Sequence, residues 1–213
     1  MIPYIKIDTP FERDNDGTKK LIEGKFRNET VEYLKNNKWL CSEKIDGTNI
    51  GIVWDGHNVS FQGRTERSAI PAPLVNKLNE LFGGSVNEEM FEQKFGDMPV
   101  ILYGEGYGPK IQKGGGLYRD DVSFILFDVY LPDQNMWLKR DSVEDIAKGF
   151  GIDVVDIVLT GTLQEAIDFV KTNPKSHIGT ANMEGLVCRP AVEMLDRTGK
   201  RVITKIKVCD FTE

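Results

Sequence analysis

The sequence predicts an α+β fold of mainly antiparallel sheets flanked by helices. Short strand-like runs are joined by tight-turn signals, Asp55-Gly56-His57-Asn58 and Asp196-Arg197-Thr198-Gly199. Helical stretches are interspersed among them without the regular strand–helix alternation of a doubly wound parallel fold. Gly104-Glu105-Gly106-Tyr107-Gly108 fits neither the P-loop nor the dinucleotide fingerprint, because Gly-Lys-Ser/Thr is missing and no convincing helix comes after it.

Taken in order, residues 29–37 read as a helix, with Asn28 as N-cap and Val31 and Leu34 three apart. Residues 39–44 and Asn49–Trp54 read as strands, and the 55–58 turn leads into a strand over 59–64. Residues 73–82 place Leu74, Leu78 and Leu81 on one helical face, and a second, short helix is expected over 88–95. Pro99–Tyr103 is an apolar strand ending in the Gly-Glu-Gly-Tyr-Gly run, with a glycine-rich loop over 106–119. Ser123–Leu131 (SFILFDVYL) is nearly continuously apolar, as in a strand covered on both faces. Ser142-x-x-Asp145 and Thr162-x-x-Glu165 each resemble a capping box that opens a helix, and 154–159 reads as a strand between those helices. The last strands are 184–189 and 201–208, joined through the 196–199 turn.

The 213 residues suffice to bury a core without disulfides, and we read 1–213 as a single domain. A net charge of −6 argues against gripping nucleic acid by bulk charge, so any such contact needs a local basic patch. The three cysteines, Cys41, Cys188 and Cys209, form no CxxC pair, which gives neither a disulfide framework nor a zinc signature. The N-terminal stretch MIPYIKIDTPFERD has no signal-peptide pattern, and no run approaches the length of a membrane span. The expectation is a cytoplasmic protein with no membrane partner.

The chemistry starts at Ser42-Glu-Lys-Ile-Asp-Gly-Thr-Asn49. A lysine amine is a nucleophile only when neutral, and its reference pKa is about 10.4. A nucleophilic Lys44 therefore calls for nearby cations or burial. The last strand offers the cations: alternation puts Lys205 and Lys207 on one face with Arg201 and Ile203, and Val202, Thr204, Ile206 and Val208 on the other. Two adjacent lysines repel, so an anion is expected near them; the simpler alternative is an edge strand blunted by lysines. Glu184 precedes the apolar GLVCRP run. Asp128 interrupts SFILFDVYL, where burial demands a partner. Glu105 is bracketed by glycines, which would let backbone approach a ligand closely. His57 and His177, the only histidines, are expected on the surface, and no hydrolase triad is supported.

The segments EKIDGTN (43–49), GRT (63–65), YGEGYGP (103–109), FILFDVY (124–130), EGLV (184–187) and KIK (205–207) occur in an order that resembles the covalent nucleotidyltransferase superfamily of polynucleotide ligases and capping enzymes. The resemblance runs from about Trp39 to Lys207 and is nearest to ATP-dependent RNA ligases of the RNA ligase 2 type. It implies an adenylation domain in which Lys44 attacks the α-phosphate of ATP to form lysyl–AMP. Asp46 and Gly47 would shape the loop, and Thr48 and Asn49 would contact the nucleotide or the incoming phosphate. Glu43 would help read adenine through backbone groups, Arg64 would hold ribose or phosphate, and Glu105 would accept from a ribose hydroxyl. Phe127 would stack on adenine, with Phe124 the competitor and Asp128 orienting neighbours. Glu184 would bind the metal, Mg²⁺ or Mn²⁺, and Lys205 and Lys207 would contact the α-phosphate.

In the family, AMP passes to an RNA 5′-phosphate, which a 3′-hydroxyl then attacks. Lys110, Lys113 and Arg119 would offer a local basic patch for that strand; the equal alternative is a solvated, mobile loop. The chain ends six residues after Lys207, short of the OB-fold or helical C-terminal domain of larger relatives. The resemblance then implies a bare adenylation domain, whose missing part a protein partner could replace. The competing readings are a minimal DNA ligase, a guanylyltransferase and a non-catalytic nucleotide- or RNA-binding module. Repair of broken RNA in a phage or bacterial setting is the biological expectation.

Overall fold

The computed structural model describes residues 1–16 and 18–211. The strands are β1 (Phe11–Arg13), β2 (Leu21–Phe26), β3 (Trp39–Lys44), β4 (Thr48–Trp54), β5 (Val59–Gln62), β6 (Val100–Tyr107), β7 (Ser123–Leu131), β8 (Met136–Trp137), β9 (Asp153–Val154), β10 (Ile157–Gly161), β11 (Gly185–Pro190) and β12 (Thr204–Lys207). The helices are α1 (Glu29–Tyr33), α2 (Ala72–Phe82), α3 (Ser85–Phe95), α4 (Arg140–Phe150) and α5 (Leu163–Lys171). Pairing among the described strands is antiparallel except between β7 and β9, so the fold is α+β with mainly antiparallel sheets, as the turn signals predicted. No helix of the described residues is long and apolar enough to cross a membrane.

Contacts divide the chain into two compact units, one of Met1–Ile5 and Asp46–Val155, the other of residues 6–45 and those from Asp156 onward. The first unit is built on a six-stranded sheet in the order β5-β4-β6-β7-β8, with β9 beside β7. One face carries Ile50, Ile52 and Trp54 from β4, Leu102 from β6 and Leu126 and Val129 from β7. They pack with Leu74, Leu78 and Phe82 of α2, Phe91 of α3 and Val143 and Ile146 of α4. Each such fully buried side chain contributes about 1.5–3 kcal/mol.

The second unit is built on a four-stranded sheet, β10-β3-β11-β12, with the β1–β2 hairpin. Trp39 and Cys41 of β3, Leu186 and Cys188 of β11 and Ile206 of β12 face Leu163, Ile167 and Val170 of α5. Cys41 and Cys188 stand opposite each other in the ladder as buried free thiols. Burial, then the neighbouring Cys41, pushes the Cys188 thiol well above its ordinary pKa.

Where the boundaries differ from the sequence reading, the reasons are local. The first helix ends at Tyr33 rather than at 37, because Trp39 Nε1 donates to the Leu34 carbonyl at 2.9 Å and closes the helix end. The strand expected at 154–159 is two strands: β9 pairs with β7 in the first unit and β10 with β3 in the second. The Thr162 capping box is present, whereas Ser142 lies inside α4, which starts two residues earlier on Lys139 without a side-chain cap. The strand read over 201–208 is ordered as a ladder only at 204–207.

Asn28 does cap α1, accepting from Thr30 N at 2.8 Å and Val31 N at 3.1 Å. Asn28→Ala is expected to cost about 1 kcal/mol, read as a lower urea midpoint with an unchanged slope. A midpoint equal to the parent's would show that the cap contributes nothing.

Candidate active site

In the second unit, the ladder fixes which side chains share a face. Gly185 of β11 stands between Lys44 of β3 and Lys207 of β12, and two residues further, on the same face, Val187 stands between Ser42 and Lys205. Cys41, Leu186 and Ile206 point the other way, into the core. Alternation along the strands therefore brings Lys44, Lys205 and Lys207 out on one face. Glu184, the residue before β11, joins Lys44 and Lys207. Its Oε2 accepts from Lys44 Nζ at 2.6 Å, and its Oε1 pairs with Lys207 Nζ at 2.8 Å. This is the anion that the paired lysines required. β12 is indeed the edge strand, but Lys207 is turned onto Glu184 instead of merely blunting the edge. Burial works against the Lys207 charge. The hydrogen bond and charge of Glu184, with Asp210 nearby, more than offset that and hold its pKa above the ordinary value.

Gly185 lets β11 and β12 approach closely at this row. A Cβ there would overlap the Ile206 carbonyl, so no side chain fits between the strands at this row.

Glu43 points away from Lys44 and is 3% exposed. Its carboxylate accepts from the Ser176 hydroxyl and from His177 N, the latter at 2.9 Å. Its own backbone N–H donates to Asp156 O at 3.0 Å. The carboxylate therefore ties down the segment that leads to Glu184, a structural task that sequence reasoning missed. The missed signal was a carboxylate at a core-facing strand position, which needs donors. Glu43→Ala would leave the Ser176 and His177 donors without an acceptor. The expected cost is about 2–3 kcal/mol, with faster proteolysis of residues 174–183; Glu43→Gln should retain most of the stability. An alanine variant as stable as the parent would rule this out. His177 also meets Asp156, Nδ1 to Oδ2 at 3.0 Å, on the surface, and His57 is exposed, as expected for both.

In the first unit, the sheet face away from the helices carries the other candidates. Asn49, Glu105 and Ile125 are direct neighbours across β4, β6 and β7. The adjoining row runs Gln62, Gly51, Tyr103 and Asp128. Glu105 lies within β6, not in a loop, and its flanking glycines answer to the opposite face. A Cβ at Gly104 would overlap the Phe124 ring, and one at Gly106 would overlap Leu74. These glycines admit core side chains, which corrects the reading that they admit a ligand.

Phe124 is 1% exposed in that core, edge-on to Phe82 at 5.4 Å. Phe127 is half-buried and sits where the register slips, since Gly104 pairs with Leu126 and Tyr103 with Asp128. A β-bulge thus makes Phe127 the extra residue and re-aims the side chains beyond it. Of the two phenylalanines only Phe127 is available to a ligand. Asp128 is 1% exposed and accepts from Tyr4 Oη at 2.8 Å, which supplies the partner its burial demanded.

Asp46 N donates to Tyr118 Oη at 3.2 Å, and Gln112 Nε2 donates to the Gly47 carbonyl at 2.9 Å. The glycine-rich loop is thereby pinned to the Asp46-Gly47 turn. Arg119 is paired with Asp121 at 2.5 Å and lies over the Tyr107 ring; Lys110 and Lys113 are exposed. Arg64 is exposed just after β5. The candidates thus fall into two clusters, Lys44, Glu184, Lys205 and Lys207 in one unit and Asn49, Glu105, Phe127 and Asp128 in the other.

Among the described residues, no group of three or more His, Cys, Asp and Glu side chains is placed to hold a metal. Mg²⁺ and similar hard cations need only one or two carboxylates when substrate phosphates and water complete the shell. Glu184 fits such a cation, and no zinc-type ligand set is found among the described residues.

The RNA ligase family model matches residues 37–207, which spans every one of these candidates. The chain belongs to the RNA ligase family. No curated protein matches the chain at a significant level. Among solved structures, a mutant Naegleria gruberi RNA ligase with ATP and Mn aligns at a TM-score of 0.65 and 19% identity, over 84% of this chain and 51% of that one. The Naegleria gruberi RNA ligase with PPi aligns at 0.63 and 22%, over 84% and 52%. A further mutant with ATP and Mn aligns at 0.66 and 18%, over 97% and 57%. At these identities the likeness is one of fold. The chain spans about half the length of these RNA ligases.

Proposed function

We propose that the protein is an ATP-dependent RNA ligase that works through a lysyl–AMP intermediate on Lys44. The observation that carries this reading is the Lys44–Glu184–Lys207 cluster inside a chain of the RNA ligase family. ATP, Mn and PPi in the solved RNA ligases of like fold support the choice of nucleotide and a divalent cation.

Nζ of Lys44 releases its proton to solvent and attacks the α-phosphorus of ATP. The Nζ–P bond forms, the bond to the β-phosphate oxygen breaks, and pyrophosphate leaves. Lys205 and Lys207 offset the charge that builds on the phosphate oxygens. Glu184 would hold Mg²⁺ or Mn²⁺, which supplies further charge neutralisation at the phosphates. Asp46 shapes the turn after Lys44. Asn49, Arg64, Glu105 and Phe127 bind the nucleotide, with Phe127 against adenine, and Glu43 contributes backbone groups there. An RNA 5′-phosphate oxygen next displaces Lys44 from AMP, and a 3′-hydroxyl then displaces AMP and closes the phosphodiester. The setting is repair of broken RNA in a cytoplasm, with a protein partner assisting strand recognition.

The test is incubation with α-labelled ATP and Mg²⁺, then denaturing electrophoresis, with GTP and NAD⁺ in parallel. A labelled band from ATP alone, discharged by pyrophosphate, and transfer to 5′-phosphorylated RNA faster than to nicked DNA are expected. No band with any nucleotide, from folded protein free of bound AMP, would overturn the reading.

A further inference from the structure

We infer that the N-terminal segment, through Tyr4, is a positioning element of the nucleotide site and sets the placement of Phe127 and Asp128. The inference rests on the proposed role of Phe127 in holding adenine. In the first unit, Met1–Ile5 lies on the sheet face that bears Asn49 and Glu105. The Ile2 carbonyl accepts from Tyr103 Oη at 2.6 Å and from Gln62 Nε2 at 2.5 Å. Gln62 and Tyr103 flank Gly51 in the row directly beside Asn49 and Glu105. The segment is therefore held two residues along the strands from those two side chains, at the next row of the same face.

Tyr4 carries the segment to the bulge. Its ring stands edge-on to Phe127 at 4.9 Å and to Trp137 at 5.5 Å, and lies 5.1 Å from Tyr103. Its hydroxyl donates to Asp128, which is almost wholly buried. Phe127 is the extra residue of the bulge, so the ladder does not fix its ring as it fixes those on either side. Something else has to fix it, and the Tyr4 ring is in contact with it. A group that pre-sets a binding side chain improves affinity by removing the cost of ordering it at the moment of binding.

Tyr4→Phe keeps the ring and loses the hydrogen bond; Tyr4→Ala loses both. Calorimetric titration with ATP, melting of each variant, and the rate of adduct formation at saturating ATP separate the roles, with Tyr33→Ala, an exposed site, as control. The expected result is an ATP Kd raised about 3- to 5-fold in Tyr4→Phe and at least about 10-fold in Tyr4→Ala. The saturated rate in Tyr4→Phe should stay within about 2-fold of the parent, as for a loss of binding alone. Unchanged affinity in both variants would overturn the inference. So would an affinity loss that merely tracks the unfolded fraction, or a parent that binds no ATP. A parent that binds ATP but forms no adduct would defeat the lysyl–AMP reading alone, and the Kd series would still decide the role of Tyr4.

Discussion

Lys44→Ala is expected to abolish the covalent nucleotide adduct, with labelling reduced by at least ~10³-fold, while the protein remains folded. Lys44 is partly exposed at the end of β3, and its removal leaves Glu184 paired with Lys207. Lys207 cannot take its place without a change of partner, because it is held by the same carboxylate and kept cationic by it. Lys44→Arg should label no better, because the guanidinium preserves the charge but is no nucleophile at neutral pH. Intact mass spectrometry after incubation with ATP and Mg²⁺ reads the outcome. An adduct that persists in Lys44→Ala would move the nucleophile elsewhere.

Gly185→Ala should damage both stability and chemistry. The new methyl would overlap the Ile206 carbonyl in the neighbouring strand, and backbone cannot yield as a flexible side chain can. The expected loss is about 1–3 kcal/mol of stability, seen as a lower urea midpoint. Moving β12 away carries Lys207 with it, and a shift of about 1 Å can cost on the order of 10²-fold in rate. Gly116→Ala is the matched control, because its Cβ would meet nothing. If Gly185→Ala labels at the parental rate, the close approach of β11 and β12 has no bearing on catalysis.

The sequence carried the frame of this fold because its signals there are local. β3 and β7 fall at 39–44 and 123–131 as read, since the apolar stretches Trp39–Cys41 and Phe124–Phe127 mark them locally. Asn28 and Thr162 cap helices as read, because capping is settled within four residues. The split of 154–159 was not legible, because two strands that pair with different sheets look like one run. The partners of Glu43 and Asp128 were not legible either, since they lie 133 and 124 residues away. The motif order led to Glu184 and Lys207, but only the register shows them in contact. The glycines around Glu105 misled because a glycine reports a close approach without saying from which side.

The bulge in β7 acts as a change of reading frame. Upstream, the even positions Phe124 and Leu126 face the helices; downstream, the odd positions Val129 and Leu131 do. An unbroken pleat would have driven Asp128 into the hydrocarbon interior. Phe127 is the letter inserted to restore the sense of the second half. Both halves are anchored without it, so the sheet keeps its phase on either side of that one inserted residue.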